Sequence, residues 1–244
     1  MKMTGLADLL LSPMVHRLLP GRLLKPWLRL NANRARQTPL AAYLRALEPL
    51  LGMAVARAPM MALDLEMTGL DPRRDQLLSI GLVPIEAGEL VLAGARQVLV
   101  RIDAGVGHSA TLHGIVDSEL AQAMTQSQAM DWLLTQTRGR LLVAHNAPLD
   151  LSFIRRRMQL DHGLGLTLPA VDTLRLERRR LLRQAQDLTQ GSLRLGACRG
   201  RYGLPGYAGH HALGDALACG ELLLAQLSAM GDGLTVAELL RLSS

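Results

Sequence analysis

The stretch Leu63-Asp64-Leu65-Glu66-Met67-Thr68-Gly69 sets two carboxylates two positions apart at the end of an apolar run. In an extended strand both side chains leave from one face. Holding two such anions within ~4 Å costs about 4 kcal/mol at an effective dielectric near 20, a cost that a bound cation removes. Hard carboxylate oxygens favour Mg²⁺ or Mn²⁺. Taken alone, the pair is equally well explained by one acid at a strand end and the other capping a turn. Two further acids change the balance. Asp150 closes His145-Asn146-Ala147-Pro148-Leu149-Asp150 and falls in the first turn of an expected helix. It suits the helix dipole there, so a capping role stays open. Asp215 follows His210-His211-Ala212-Leu213-Gly214 among small and apolar neighbours. Burying it unpaired would be costly unless a metal or a base meets it. An imidazole with a pKa near ~6.5 can take a proton around neutral pH, which makes His210 a candidate general base. His211, four residues before Asp215, is its rival on the same helical face. His145 reads as a hydrogen-bonded residue at a strand end.

For these groups to meet, a strand end, a helix start and a late helix must converge. Apolar runs predict strands at Met60 to Glu66, Gln76 to Ile85, Leu90 to Ile102, Leu141 to Ala144 and Leu168 to Val171. Helical spacing covers Thr38 to Leu51, Ser127 to Arg138, Leu149 to Met158 with Phe153 and Ile154 on its apolar face, and His211 to Met230. Three strands followed by alternating helices and strands imply a mixed sheet covered by helices. The Arg-dense segment Arg175 to Gln190 reads as a surface helix. The pattern divides the chain into a basic, helical extension at 1–57, a body at 58–232 and a short tail at 233–244.

The 244 residues are 49% apolar and 20% charged, with 23 Gly, 11 Pro and 2 Cys, which excludes disordered, collagenous and disulfide-stapled classes. Cys198 and Cys219 have no metal-ligand spacing and suit a reducing compartment, so a cytoplasmic location is expected. Residues 1–57 hold nine Lys and Arg against two acids, while the other 187 residues are nearly neutral. A basic arm suggests a tether for nucleic acid, anionic lipid or an acidic protein partner. Leu6 to Val15 is interrupted by Asp8 and Pro13, so neither a transmembrane span nor a secretory signal is expected. Two short amphipathic helices broken at Pro13, Pro20 and Pro26 are expected instead, with peripheral membrane attachment through the leucines, Trp27 and the basic face as the alternative. The run Gly105-Val106-Gly107-His108-Ser109-Ala110 fits a loose dinucleotide pattern, but no acid-ended second strand follows it. Six aromatic residues argue against binding single strands mainly by base stacking.

Taken in order, the motifs resemble the DEDD superfamily of 3′-5′ exonucleases, the proofreading type with a catalytic histidine. The likeness spans about Met60 to Met230. It rests on Asp64 and Glu66, Leu112-His113-Gly114-Ile115, Asp150, Val171-Asp172-Thr173-Leu174, and His210 to Ala216. The resemblance implies an α/β, ribonuclease H-like fold, a mixed five-stranded sheet flanked by helices. It implies two Mg²⁺ or Mn²⁺ ions held by Asp64, Glu66, Asp150 and Asp215, with His210 accepting the proton of the attacking water. Substrate contacts are implied for Leu65, Met67, Thr68, Gly69, His113, Asn146 and Phe153. Met67 stands where relatives more often carry Thr. The implied reaction releases nucleoside 5′-monophosphates from single-stranded 3′ ends, with DNA as the expected substrate. An RNA-trimming enzyme of ribonuclease T or oligoribonuclease type, or a non-catalytic nucleic-acid-binding adaptor, are the alternatives. In the replicative proofreading subunit a polymerase-binding tail follows the exonuclease; here the extra segment precedes it, so that subunit is not expected.

Overall fold

The computed structural model describes residues 21–102, 123–207 and 209–244. His113, its surrounding motif, the Gly105 to Ala110 run and the Pro13 and Pro20 breaks lie outside these residues.

A mixed sheet organises the body. Strand β1 (Met60–Met67) pairs antiparallel with β2 (Leu77–Glu86) and parallel with β5 (Leu141–Ala144), which pairs parallel with β6 (Ala170–Asp172). The short strands β3 (Glu89–Leu90) and β4 (Arg96–Leu99) share the outer edge of β2. The single strand expected over Leu90 to Ile102 is therefore two strands separated by a 3-10 turn at Leu92–Gly94. Pro84 explains the break. Its carbonyl accepts from Val91 N at 2.9 Å, so its nitrogen faces this same edge and has no hydrogen to donate. Pairing stops beside it, between the Leu82–Arg96 and Ile85–Leu90 partners.

Helices cover the sheet. In chain order they are α1 (Gly21–Arg34), α2 (Pro39–Leu47), α3 (Gln126–Gln136), α4 (Ala147–His162), α5 (Thr173–Arg183), α6 (Leu195–Gly200), α7 (Ala212–Met230) and α8 (Val236–Leu242). Side-chain caps fix several starts: Thr38 accepts from Ala41 N, and Thr125–Gln128 and Thr235–Glu238 form capping boxes. Helix α1 runs unbroken through Pro26, contrary to the expected break there. A proline in a helix interior costs about 3 kcal/mol. Pro26 sits on the exposed side, while Leu24, Trp27 and Leu28 are buried, and burying each such side chain returns about 1.5–3 kcal/mol. Trp27, placed at a lipid surface by the membrane alternative, is fully buried.

One hydrophobic cluster holds side chains from α1, α2, the sheet, α3, α4, α7 and α8. The N-terminal helices thus pack into the body. Backbone hydrogen bonds reinforce the join, from Val55 N to Leu234 O and from Val236 N to Met53 O. Among the described helices, α7 alone is long and apolar enough to cross a membrane by composition. Here it spends that apolarity on the sheet.

The packing of α7 decides the site. Ala62, Asp64 and Glu66 alternate onto one face of β1, and Gly81 of β2 is the register partner of Asp64. A Cβ at Gly81 would lie 2.2 Å from the carbonyl carbon and oxygen of Ala212. One at Gly220 would lie 3.3 Å from Ala62 Cβ and 2.8 Å from Leu90 Cδ2. Only the missing side chains let the first turn of α7 touch the backbone of β2. That contact brings Asp215, one turn in, beside Asp64.

Candidate active site

Carboxylate oxygens of Asp64, Glu66 and Asp215 lie within 4.8 Å of one another, close enough to hold a metal ion. Burial, with the charges of Asp150, Asp215 and Glu66, holds the Asp64 carboxyl well above the usual carboxylate range. An all-oxygen cluster in which Asp64 is held toward its neutral form fits a hard divalent cation, which would reverse that shift.

Asp150 stands next to this cluster rather than in it. It is buried on the first turn of α4, and its carboxylate accepts from its own N–H and from Leu65 N–H. Burial pushes it up to about 7 against those two hydrogen bonds. It is not the cap, since Asn146 holds the N-cap position of α4; it stands in the first turn, and its charge acts on Asp64. Leu65 is buried, with its N–H given to Asp150.

The two histidines separate cleanly. His211 is the N-cap of α7, its Nδ1 accepting from Gly214 N at 3.3 Å. His210 takes a left-handed backbone, φ 69°, and its own N–H donates to Asp215 Oδ2 at 2.9 Å. Its exposed ring lines an open cleft of about 830 Å³ that also reaches Asp215, Asn146 and His145. A non-glycine residue held in that region stores strain, and such strain concentrates at functional positions. His145 behaves as the sequence suggests: Nδ1 meets Thr173 Oγ1 at 2.8 Å and Nε2 meets the Leu193 carbonyl at 2.9 Å. Burial depresses its pKa.

Asn146, also in the left-handed region at φ 66°, is anchored by its N–H to Asp172 Oδ1 at 3.1 Å. The same oxygen caps α5 through Leu174 N at 3.0 Å. Thr68 closes the loop after β1: its hydroxyl donates to Asp75 Oδ1 and accepts from Gln76 N. A Cβ on Gly69 would lie 2.5 Å from the Asp75 carboxylate, which would have to shift to admit it. Met67, after a register shift at the end of β1, packs half-buried against the core. Phe153 is buried on α4 and lines a separate hollow with Gln76 and Arg156, not the cleft at His210.

Residues that the sequence motifs do not mark complete the cleft. Arg199, almost fully buried, donates to the carbonyls of Ala218 and Pro205, pairs with Glu221 at 2.7 Å and stacks on Tyr207. It ties the segment leading to His210 onto α7. Glu177, fully buried, binds Arg180, Arg201 and the Tyr202 hydroxyl, fastening α5 to the turn after α6.

A ribonuclease H-like sheet with three carboxylates converging beside an open cleft defines the DEDD-type 3′-5′ exonuclease class. The chain belongs to the exonuclease family RNase_T, whose sequence pattern matches residues 61–223. It is 29% identical over 168 residues to DNA polymerase III PolC-type of Thermotoga petrophila, covering 68% of this chain and 12% of that protein. Against the DNA polymerase III subunit epsilon-like protein of Rhodobacter capsulatus it is 32% identical over 191 residues, 75% of this chain and 26% of that one. The chain thus spans 12% and 26% of the length of these two curated relatives. In fold it is similar to cell-death related nuclease 4, with a TM-score of 0.56 and 16% identity, over 72% of this chain and 66% of that one. It is likewise similar to E. coli Exonuclease I in complex with a dT13 oligonucleotide, with a TM-score of 0.53 and 13% identity, over 69% and 40% of the two chains.

Proposed function

We propose that this chain is a metal-dependent 3′-5′ exonuclease that removes nucleoside 5′-monophosphates from single-stranded 3′ ends, acting on DNA. The observation that carries this reading is the convergence of Asp64, Glu66 and Asp215 beside the open cleft lined by His210. Asp64, Glu66 and Asp215 would hold Mg²⁺ or Mn²⁺, and Asp150 would complete the ligand set for two ions. When bound, such ions polarise a phosphoryl oxygen and make a water easier to deprotonate. His210 takes the proton from the attacking water, and its hydrogen bond to Asp215 keeps base and ligand in register. Asn146, at the cleft wall, and the loop closed by Thr68 and Gly69 hold the terminal nucleotide. The DNA preference draws on the polymerase names of the relatives and on the oligonucleotide in the Exonuclease I complex. A cytoplasmic location fits the two free, buried thiols.

Competition between matched single-stranded DNA and RNA, with the released product identified by mass, tests the reading. Nucleoside 5′-monophosphates from DNA, with kcat lowered about 10²–10⁴-fold in His210→Ala, are expected. Preferred trimming of RNA would move the assignment to the ribonuclease T type. Absence of turnover, with no change in melting temperature on adding Mn²⁺, would leave the adaptor reading.

A further inference from the structure

The arginines of α5 have no part in the chemistry above. Five lie between Thr173 and Arg183, and only Arg175 and Arg180 find acidic partners among the described residues: Asp172 at 3.5 Å and Glu177 at 2.6 Å. Arg178, Arg179 and Arg183 are exposed. Positions 175, 179 and 183 repeat every four residues, and 178 falls beside them, so these side chains share one helix face. They line a groove of about 700 Å³ whose one acidic side chain among the described residues is Asp172, already met by Arg175. From Arg175 to Arg183 the stripe runs about 12 Å along the helix axis.

Two residues tie the stripe to the site. Asn146 and Leu174 line both this groove and the cleft that reaches His210 and Asp215. Helix α5 starts directly after β6, which is parallel to β5 and β1, so its N-terminus emerges at the same sheet edge as Asp64 and Glu66. The helix leads away from the reacting centre and carries its arginines outward.

The geometry points to α5 as the track for the nucleic-acid strand behind its 3′ end, with Arg178, Arg179 and Arg183 meeting successive phosphates. This inference rests on the exonuclease reading and extends it from the terminal nucleotide to the strand that feeds it. A free acidic protein could also satisfy the charge. Continuity with the cleft favours a strand whose end lies in it.

The test is binding of a fluorescent single-stranded 20-mer to the full chain in EDTA, by anisotropy at several salt concentrations. Each phosphate contact with a single strand contributes about 0.7 to the slope of log K against log salt, so Arg178→Gln/Arg179→Gln/Arg183→Gln lowers that slope by about 2. With affinities converging near 1 M salt, this is a loss of about 100-fold at 0.1 M. The Arg→Lys triple variant restores the slope, because it restores point charges. Hydrolysis of the p-nitrophenyl ester of thymidine 5′-monophosphate, which reaches no further than the carboxylates, stays at the wild-type rate in both variants. An unchanged slope and affinity in the Gln variant would overturn the track and leave the stripe to an acidic protein. A wild-type chain that cleaves neither ester nor oligonucleotide would instead refute the exonuclease reading, with the salt slope still deciding the track.

Discussion

Asp150 offers the sharpest quantitative test of the site's electrostatics. Its carboxyl is buried at the start of α4 and pushed up to about 7, against an ordinary value near 3.8. The folded state therefore keeps a proton that the unfolded chain loses above pH ~4. Stability changes with pH as the protons bound in the unfolded state minus those bound in the folded state, and that difference is negative here. The metal-free protein is thus penalised progressively from about pH 4 to about pH 7, and the penalty is constant above that. Three pH units at 1.36 kcal/mol each give a contribution on the order of 4 kcal/mol. In Asp150→Asn the carbonyl oxygen can still accept from Leu65 N–H, and the charge cannot form. Thermal melts of both proteins in EDTA from pH 4.5 to 7.5 isolate Asp150 together with its charge on Asp64, because groups not coupled to it cancel in the difference. The variant should melt only about 2–4 °C higher at pH 4.5 and about 8–16 °C higher at pH 7.5, taking 2–4 °C per kcal/mol for a chain of this size. Excess Mn²⁺ should raise the wild type by about 5–11 °C at 100 times its Kd, from ~2.7 kcal/mol of linkage, and raise the variant less. Parallel curves would refute the reasoning, since they would mean that Asp150 titrates alike folded and unfolded.

Gly81→Ala should force the first turn of α7 off the sheet, because the new Cβ would lie 2.2 Å from the Ala212 carbonyl. Overpacking costs about 1–3 kcal/mol in stability, and a ~1 Å displacement of Asp215 should lower kcat about 10²-fold; a variant with full activity would contradict the close approach. Glu177→Ala strands the charges of Arg180 and Arg201 and should destabilise the protein by about 3–5 kcal/mol in urea melts, whereas loss below 1 kcal/mol would show the network to be solvated. Trp27→Ala should cost about 3–5 kcal/mol, since Trp27 is wholly buried in the shared core; an unchanged unfolding midpoint would mean that α1 is an appendage.

What could be read from the chain alone follows the range of the physics involved. The pairing of Asp64 with Glu66 depends only on the two-residue period of a strand, and the runs that became β1, β2 and β5 carry their apolar signal locally. Asp215 was conspicuous because a carboxylate among alanines on an apolar helix is costly unless something meets it. Elsewhere long-range packing overruled local pattern. Pro26 looks like a helix stop until Trp27 and Leu28 are seen to be buried, and the split between β3 and β4 follows from which edge Pro84 presents. Which of His210 and His211 lines the cleft was likewise not legible locally: His210 does, while His211 caps α7 through Nδ1. The part played by Gly81 was invisible in sequence, because its neighbour Ala212 lies 131 positions further along the chain. Arg178, Arg179 and Arg183 looked like an ordinary solvated face until the groove joined them to the cleft at Asn146.

The central claim is that Asp64, Glu66 and Asp215 hold the ions that cut a strand at its 3′ end. A single-stranded oligonucleotide labelled at its 3′-terminal nucleotide, incubated with the full chain in Mn²⁺ or in EDTA, measures it directly. Label should leave as mononucleotide in Mn²⁺, remain on the strand in EDTA, and remain there with Asp215→Asn in either buffer. Release that persists in EDTA or in the variant, or label appearing first on short oligomers cut from within, would contradict it.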